Sequence, residues 1–423
     1  MMDFPKYESY KDSGIAWLGE IPQNWEIIRS KYVFSEIDER SQTGNEELLS
    51  VSHLTGVTPR SEKNVNMFLA EDYTGAKLCQ PNDVVINTMW AWMGALGVSD
   101  HTGLVSPSYG VYRPNEKVYP RFLDSLLRTP QYIAEYIRRS TGIQSSRLRL
   151  YSNQFLDIPL VMPPIEEQRR IVDFLDRKTA EIDQAIAQKQ RLIELLKEQK
   201  TILIDRAVTQ GLNPNVLVRD SDIEWIGKVP KHWKLVQNRY VFQEQNKRSA
   251  NGNEIHLSMS QKFGLVPSHE LESKTLQSES YEGAKLCLKT DLILNRLKAH
   301  LGVFSVAPCD GLVSPDYSVF RLRNQNMTSK YFEHLFKTAI YISEFNRKVK
   351  GIVMGFYRLY SDSFNEIPCL CPPIHEQVQI QNWILEKQQE FKIVENAIRT
   401  EIDRLLELKS VVISEAVTGK IKV

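Results

Sequence analysis

The sequence predicts a mixed α/β fold built twice: two homologous lobes joined by two long antiparallel helices that form a coiled-coil spacer, with a pseudo-two-fold axis relating the halves. Three observations predict it. First, distinctive segments recur 208 residues apart, and 209 apart beyond a one-residue gain near position 330. Asp12-Ser13-Gly14-Ile15-Ala16-Trp17 returns as Asp220-Ser221-Asp222-Ile223-Glu224-Trp225, and Gly103-Leu104-Val105-Ser106-Pro107 as Gly311-Leu312-Val313-Ser314-Pro315. Leu150-Tyr151-Ser152 returns as Leu359-Tyr360-Ser361. Solenoid units run to roughly 20–50 residues, so a period this long is a duplicated domain. Second, each copy ends in a long stretch without Gly or Pro that carries heptad character. Third, 423 residues exceed what one core serves.

The elements follow in order. Residues 1–163 and 211–372 mix short β-rich runs, such as Asp83-Val84-Val85-Ile86-Asn87 and Asp291-Leu292-Ile293-Leu294-Asn295, with Gly and Pro punctuation and one helical stretch each (122–138 and 331–345). That pattern reads as an α/β or α+β lobe. After Pro163-Pro164 and Pro372-Pro373 the long helices begin, over 164–210 and 373–423, with acids in the first turn where the helix dipole favours them. In the first, a 3–4 spacing runs Val172, Leu175, Thr179, Ile182, Ile186, Lys189, Ile193, Leu196, Lys200, Leu203, Ala207. In the second, Ile384, Phe391, Ile398, Leu405 and Val412 keep one side of the heptad apolar, while the other side is mostly polar apart from Ile402 and Ala416. A helix of about 44 residues spans roughly 65 Å. Neither helix can bury its stripe alone, so each is expected to pair with the other, and the chain ends are expected to lie close together.

Composition narrows the function classes. The formal net charge is +1, which excludes a uniformly basic nucleic-acid coat and leaves room for local basic patches. The five cysteines (Cys79, Cys287, Cys309, Cys369, Cys371) form no C-x-x-C pair and have no zinc spacing, as expected of buried thiols in a reducing cytosol. The first residues lack the order of a signal peptide, and no apolar stretch approaches the roughly 20 residues of a membrane span, so a cytoplasmic protein is expected. No phosphate loop, dinucleotide fingerprint, nucleophile elbow or zinc-protease motif occurs. Glu198-x-Lys200 resembles the tail of a nuclease motif, yet it sits on the long helix without an acidic strand partner. His300 faces Trp92 across the repeat. Lobes sharing one chemistry would repeat their reactive groups; these do not, and binding without catalysis is expected.

The motif Ile158-Pro159-Leu160-Val161-Met162-Pro163-Pro164-Ile165-Glu166-Glu167-Gln168, its counterpart at 367–377, the long helices and the two Ala-Val-Thr exits resemble the specificity subunit of type I restriction–modification systems over the full chain. The resemblance implies two target-recognition domains (1–163 and 211–372) on an antiparallel helical spacer, each reading half of a split sequence in double-stranded DNA. It further implies two methyltransferase subunits and two motor–nuclease subunits as partners, with S-adenosylmethionine, ATP and magnesium bound by those partners. The chain departs from the pattern in the weaker heptad of its second helix. A stiff spacer would set the two footprints about one helical turn apart, roughly 34 Å.

The repeat also offers an internal comparison. Positions shared by both lobes serve fold or common partners; positions that differ inside matched segments are candidates for reading different half-sites. In one window Thr88, Trp90 and Trp92 become Arg296, Lys298 and His300, while Asn87, Ala91 and Gly94 recur as Asn295, Ala299 and Gly302. Arg and Lys can donate to guanine O6 and N7, whereas Thr and Trp offer methyl or stacking contacts. The alternative is that the tryptophans are core. In a second window Gln144, Ser145, Ser146 and Arg147 stand against Val353-Met354-Gly355-Phe356, with Tyr357 adjoining as a further base-reading candidate. The recurrent cations Arg149 and Arg358, Lys77 and Lys285, and Arg40 and Arg248 are candidates for phosphate, which carries no sequence information. For the methyltransferase, the candidate surface is Glu167, Gln168, Glu376 and Gln377 at the lobe–helix junctions, where helix capping explains the same residues. Two other readings remain open: a two-lobed protein-binding scaffold without a DNA role, favoured by the near-neutral charge, and an enzyme, opposed by the missing motifs.

Overall fold

The computed structural model describes residues 4–63, 72–142, 148–260, 264–271, 281–351 and 357–423. The fold is mixed α/β. It divides into two compact units, Met1–Gln190 with Arg399–Val423, and Arg191–Ile398. The divisions fall inside the long helices and not at their starts, because each lobe buries the stretch of both helices that lies against it.

In the first unit a four-stranded antiparallel sheet runs in the order Phe34–Glu36, Gly110–Pro114, Val84–Ile86, Leu96–Val98. The run Val84-Val85-Ile86 is apolar throughout because both faces of the sheet are covered. Val84 and Ile86 enter the main core with Phe122, Leu123, Tyr132 and Ile171, while Val85 enters a second core with Leu49, Val57, Cys79 and Val111. The second unit repeats this in the order Phe242–Gln245, Tyr317–Leu322, Leu292–Asn295, Phe304–Val306. Leu292 and Leu294 face its main core and Ile293 the lesser one. Phe304, Phe332 and Phe336 fill its main core where the first lobe has Leu96, Leu123 and Leu127.

Strand Pro159–Met162 pairs antiparallel with Glu26–Arg29 and delivers the chain, through Pro163-Pro164, into helix Ile165–Gln210. Pro368–Cys371 does the same against Lys234–Gln237 before helix Ile374–Val417. Within the first unit the two helices run antiparallel: Ile171, Val172 and Leu175 share a core with Val412, Ala416 and Val417, Asp183 pairs with Lys409 at 2.7 Å, and Lys189 pairs with Glu401. Within the second, Ala207 and Val208 meet Ile380 and Ile384, and Lys197 lies 3.9 Å from Glu395. Of the expected stripes, Val172, Leu175, Ile182, Ile186, Ile193 and Ala207 are buried on one helix, and Ile384, Ile398, Val412 and Ala416 on the other. Leu385, Ile393 and Leu406 lie off the stripe and are exposed. In the first unit the C-terminal tail closes on the N-terminal segment: Lys422 N donates to the Pro5 carbonyl at 2.8 Å. Gly419 has φ +77° and lies where a Cβ would strike the Pro22 ring, so both conformation and space require glycine there.

Candidate nucleic-acid interface

In each lobe an inner strand of the sheet, Val84–Ile86 or Leu292–Asn295, turns sharply at an asparagine, Asn87 or Asn295. Asn87 is buried, and its Nδ2 donates to the Tyr109 hydroxyl at 2.9 Å. The chain then makes a 3-10 turn over Ala91–Met93 and leaves through Gly94 at φ +84°. In the second lobe Asn295 Oδ1 accepts from Leu297 N at 3.2 Å, Nδ2 reaches the Tyr317 hydroxyl at 3.4 Å, and the turn over Arg296–Leu301 leaves through Gly302 at φ +68°. A Cβ on either glycine would press on an isoleucine, Ile133 or Ile342, so the turn lies tight on the helix beneath it. Burial pushes the Tyr109 and Tyr317 hydroxyls above the ordinary tyrosine value. Both asparagine–tyrosine supports recur, and the side chains they hold up differ.

The turn of the first lobe is apolar on its outside. Trp90 is 53% exposed, with Met89 and Met93 beside it, while Trp92 is partly buried and its indole donates to the Met89 carbonyl at 2.9 Å. Core packing therefore explains part of Trp92 and little of Trp90. Thr88 Oγ1 donates to the Ser108 carbonyl at 2.9 Å. The turn of the second lobe is cationic. Lys298 is exposed, and the His300 ring stands edge-on to Tyr357 with centroids 6.0 Å apart. Arg296 Nε donates to the Asp316 carbonyl at 2.6 Å, the equivalent of the Thr88–Ser108 contact.

Leu150 N donates to the Thr88 carbonyl at 2.9 Å, and Leu359 N to the Arg296 carbonyl at 3.0 Å, so the described end of the second window, 148–150 or 357–359, lies beside the first. Gln144, Ser145, Ser146 and Arg147 lie outside the described residues, as do the counterparts 353–356. Arg149 stacks over Tyr151 at 6.0 Å, and Arg358 donates to Asp316 Oδ1 at 3.0 Å.

Other expectations need correction. Lys77 and Lys285, expected to meet phosphate, are buried: Lys77 Nζ donates to the Tyr109 carbonyl at 2.9 Å, and Lys285 lies 3.8 Å from Glu244. Each sits in a strand paired antiparallel with 103–105 or 311–313, and burial lowers the Lys285 pKa, partly offset by Glu244. Lys77 ties its strand to the turn at Tyr109, and Lys285 ties its strand to the neighbouring strand Phe242–Gln245. Arg40 and Arg248 remain exposed, each donating to a glycine carbonyl, Gly75 or Gly283. At the lobe–helix junctions Glu167, Gln168 and Gln377 are buried and thus offer no partner surface. Glu167 accepts from the Tyr7 hydroxyl at 2.6 Å and from Asn24 at 3.2 Å. Gln168 holds three backbone groups, accepting from Tyr119 N at 2.7 Å and donating to the carbonyls of Pro163 and Lys117 at 2.9 and 3.3 Å. Glu376 is half-buried and accepts from His232 and from the Trp233 indole. Sequence reasoning missed Asp316, although pairing it with Ser108 across the repeat would have flagged it.

These features define a duplicated, two-lobed protein whose equivalent turns, on equivalent supports, display unlike side chains. Among the described residues no group of three or more His, Cys, Asp and Glu converges to hold a metal ion, and no helix is long and apolar enough to cross a membrane. No family model matches the sequence. The chain is similar over most or all of its length to specificity subunits of type I restriction enzymes. It is 21% identical to the MjaVIII specificity subunit of Methanocaldococcus jannaschii, over 100% of this chain and 98% of that one. It is 20% identical to the EcoKI specificity subunit of Escherichia coli K12, over 81% and 75%. The fold matches the HsdS subunit of Thermoanaerobacter tengcongensis with a TM-score of 0.51 at 17% identity, covering 95% and 98% of the chains. It also matches a chain from a structural study of type I restriction–modification complex assembly, with a TM-score of 0.59 at 17% identity over 94% and 98%.

Proposed function

We propose that this chain is the DNA sequence-specificity subunit of a type I restriction–modification complex, each lobe reading one half of a bipartite target in double-stranded DNA. The observation that carries the reading is the pair of turns at 87–94 and 295–302. Their supports recur, while the outward side chains change from Trp90 and Thr88 to Lys298 and Arg296. Shared supports with unlike displays suit two half-sites of different sequence. Residues 1–163 and 211–372 act as target-recognition domains, and 164–210 and 373–423 as spacer. Base reading falls to Thr88, Trp90, Trp92, Arg296, Lys298, His300 and Tyr357, and to Gln144, Ser145, Ser146 and Arg147. Phosphate contact falls to Arg40, Arg149, Arg248 and Arg358.

The chain works in the cytoplasm with two methyltransferase and two motor–nuclease subunits, which bring S-adenosylmethionine, ATP and magnesium. With Glu167, Gln168 and Gln377 turned inward, exposed apolar side chains on the helices, Leu406 in one unit and Ile393 in the other, offer surface to the methyltransferase. Single-molecule sequencing of DNA from cells carrying this gene with its methyltransferase gene, against cells lacking only this gene, tests the reading. A split motif that depends on this gene is expected; no such motif from an expressed, assembled complex refutes it.

A further inference from the structure

Lys285, Arg248 and Arg358 gather around the second-lobe turn that carries Arg296 and Lys298. Arg248 and Arg296 both act electrostatically on buried Lys285, and Arg358 reaches Asp316 from the neighbouring window. Asp316 is the acid at their centre. Its carbonyl accepts from Arg296 Nε at 2.6 Å, while its Oδ1 lies 3.8 Å from Arg296 and accepts from Arg358 at 3.0 Å. A second carbonyl, that of Pro315, takes another Arg296 donor at 3.4 Å. The carboxylate thus hydrogen-bonds one guanidinium and stands within ion-pair range of a second, where an anionic phosphate oxygen would meet the same two charges.

The first lobe closes the same turn without this carboxylate. There the equivalent positions are Thr88 and Ser108, and the same side-chain-to-carbonyl contact closes the same turn without charge. The position that turns cationic in the second lobe is thus matched by one that turns anionic. Folding does not require the acid: Asp316 is 54% and Arg358 32% exposed in their side chains, and exposed ion pairs contribute little to stability. Towards DNA the effect is larger, since a carboxylate on a phosphate-facing surface repels the backbone and occupies a donor that would otherwise release a counterion.

We propose that Asp316 is a specificity-positioning residue of the second lobe, an internal phosphate surrogate that holds Arg296 and Arg358 in place until a matching half-site displaces it. The proposal rests on the DNA reading of the same turn. A non-cognate duplex must displace the carboxylate without gaining base contacts, and so binds weakly. A cognate half-site recovers the loss through Arg296 and its neighbours.

The test uses the full chain and two labelled duplexes, one carrying the mapped motif and one lacking it, titrated over a range of KCl. For D316N we expect roughly ten-fold tighter binding of the motif-free duplex at low salt, and a log K against log[salt] slope steeper by about 0.9, the value of one further phosphate contact. Cognate affinity rises less, so discrimination falls. D316S, carrying the first-lobe residue, gives the same shifts should D316N fold poorly, and D316E keeps wild-type behaviour. Unchanged or weaker motif-free binding by both neutral variants, with the wild type still preferring its motif, overturns the role of Asp316 and leaves the DNA reading standing. Salt-insensitive binding of both duplexes by the wild type removes the DNA reading, and the proposal with it.

Discussion

Replacing Gln168 by leucine keeps nearly the same volume and removes every polar contact of a side chain that is 1% exposed. Three backbone groups lose their partner: the Tyr119 amide, which donates at 2.7 Å, and the carbonyls of Pro163 and Lys117, which accept at 2.9 and 3.3 Å. A buried hydrogen bond is worth about 0.5–1.5 kcal/mol net, and a buried group left without a partner costs about 1–3 kcal/mol. Water can recover the longest of the three contacts, so a loss of about 3 kcal/mol is expected. For a unit of this size that lowers the melting point by roughly 6–12 °C. Two units need not unfold as one transition, so the assay is calorimetry of the full chain in parallel with Q377L. Gln377 makes two such bonds, to Thr328 N at 2.9 Å and the Pro372 carbonyl at 2.8 Å, and its loss should move the second unit's transition by less. A shift for Q168L within about 1 °C of wild type, well under the loss expected from orphaned backbone groups, would refute the reasoning. So would both variants moving one and the same transition.

Two further outcomes are expected. Burial pushes the His334 imidazole down to about 4 from its ordinary 6.5, so between those values the unfolded chain takes a proton that the folded unit refuses. Stability of the second unit is complete above pH 6.5 and falls as the pH drops towards 4, with a slope below the one-proton limit of about 1.4 kcal/mol per pH unit. H334S, which installs the first lobe's Ser125, should flatten that slope in urea titrations at several pH values; an unaltered slope assigns the acid sensitivity elsewhere. Transplanting the charged pair as T88R with S108D should change one half of the methylated motif and leave the other half intact. Two unaltered halves in the methylation map would sink the assignment of this turn to base reading.

The duplication, the mixed α/β lobes and the long helices were legible because each is written in signals that a linear string preserves: an offset, a period, a Pro-Pro boundary. What was hidden depends on which way a side chain points. Lys77 and Lys285 look like surface cations until strand pairing turns them inward. Gln168 and Gln377 occupy helix first turns, where capping and partner surface predict the same residue types, and only their burial decides. The two variable windows were found separately, and nothing in the string says that Leu150 and Leu359 bond to Thr88 and Arg296. Asp316 escaped because it lies 20 residues from Arg296 along the chain, although the repeat pairs it with Ser108 as it pairs Arg296 with Thr88.

The first compact unit draws Val412, Ala416, Val417 and Ile421 into its interior, while the second is made from one uninterrupted stretch, Arg191–Ile398. On the ribosome this inverts the usual order of completion. The second unit can close as it emerges, whereas the first waits roughly 10–45 s after Gln190 for its last side chains, at synthesis rates of 5–20 residues per second. Throughout that wait Ile171, Val172 and Leu175 present an uncovered apolar surface, a natural place for chaperones to hold the nascent chain. A premature stop near position 400 would therefore injure the lobe translated first and spare the one translated last.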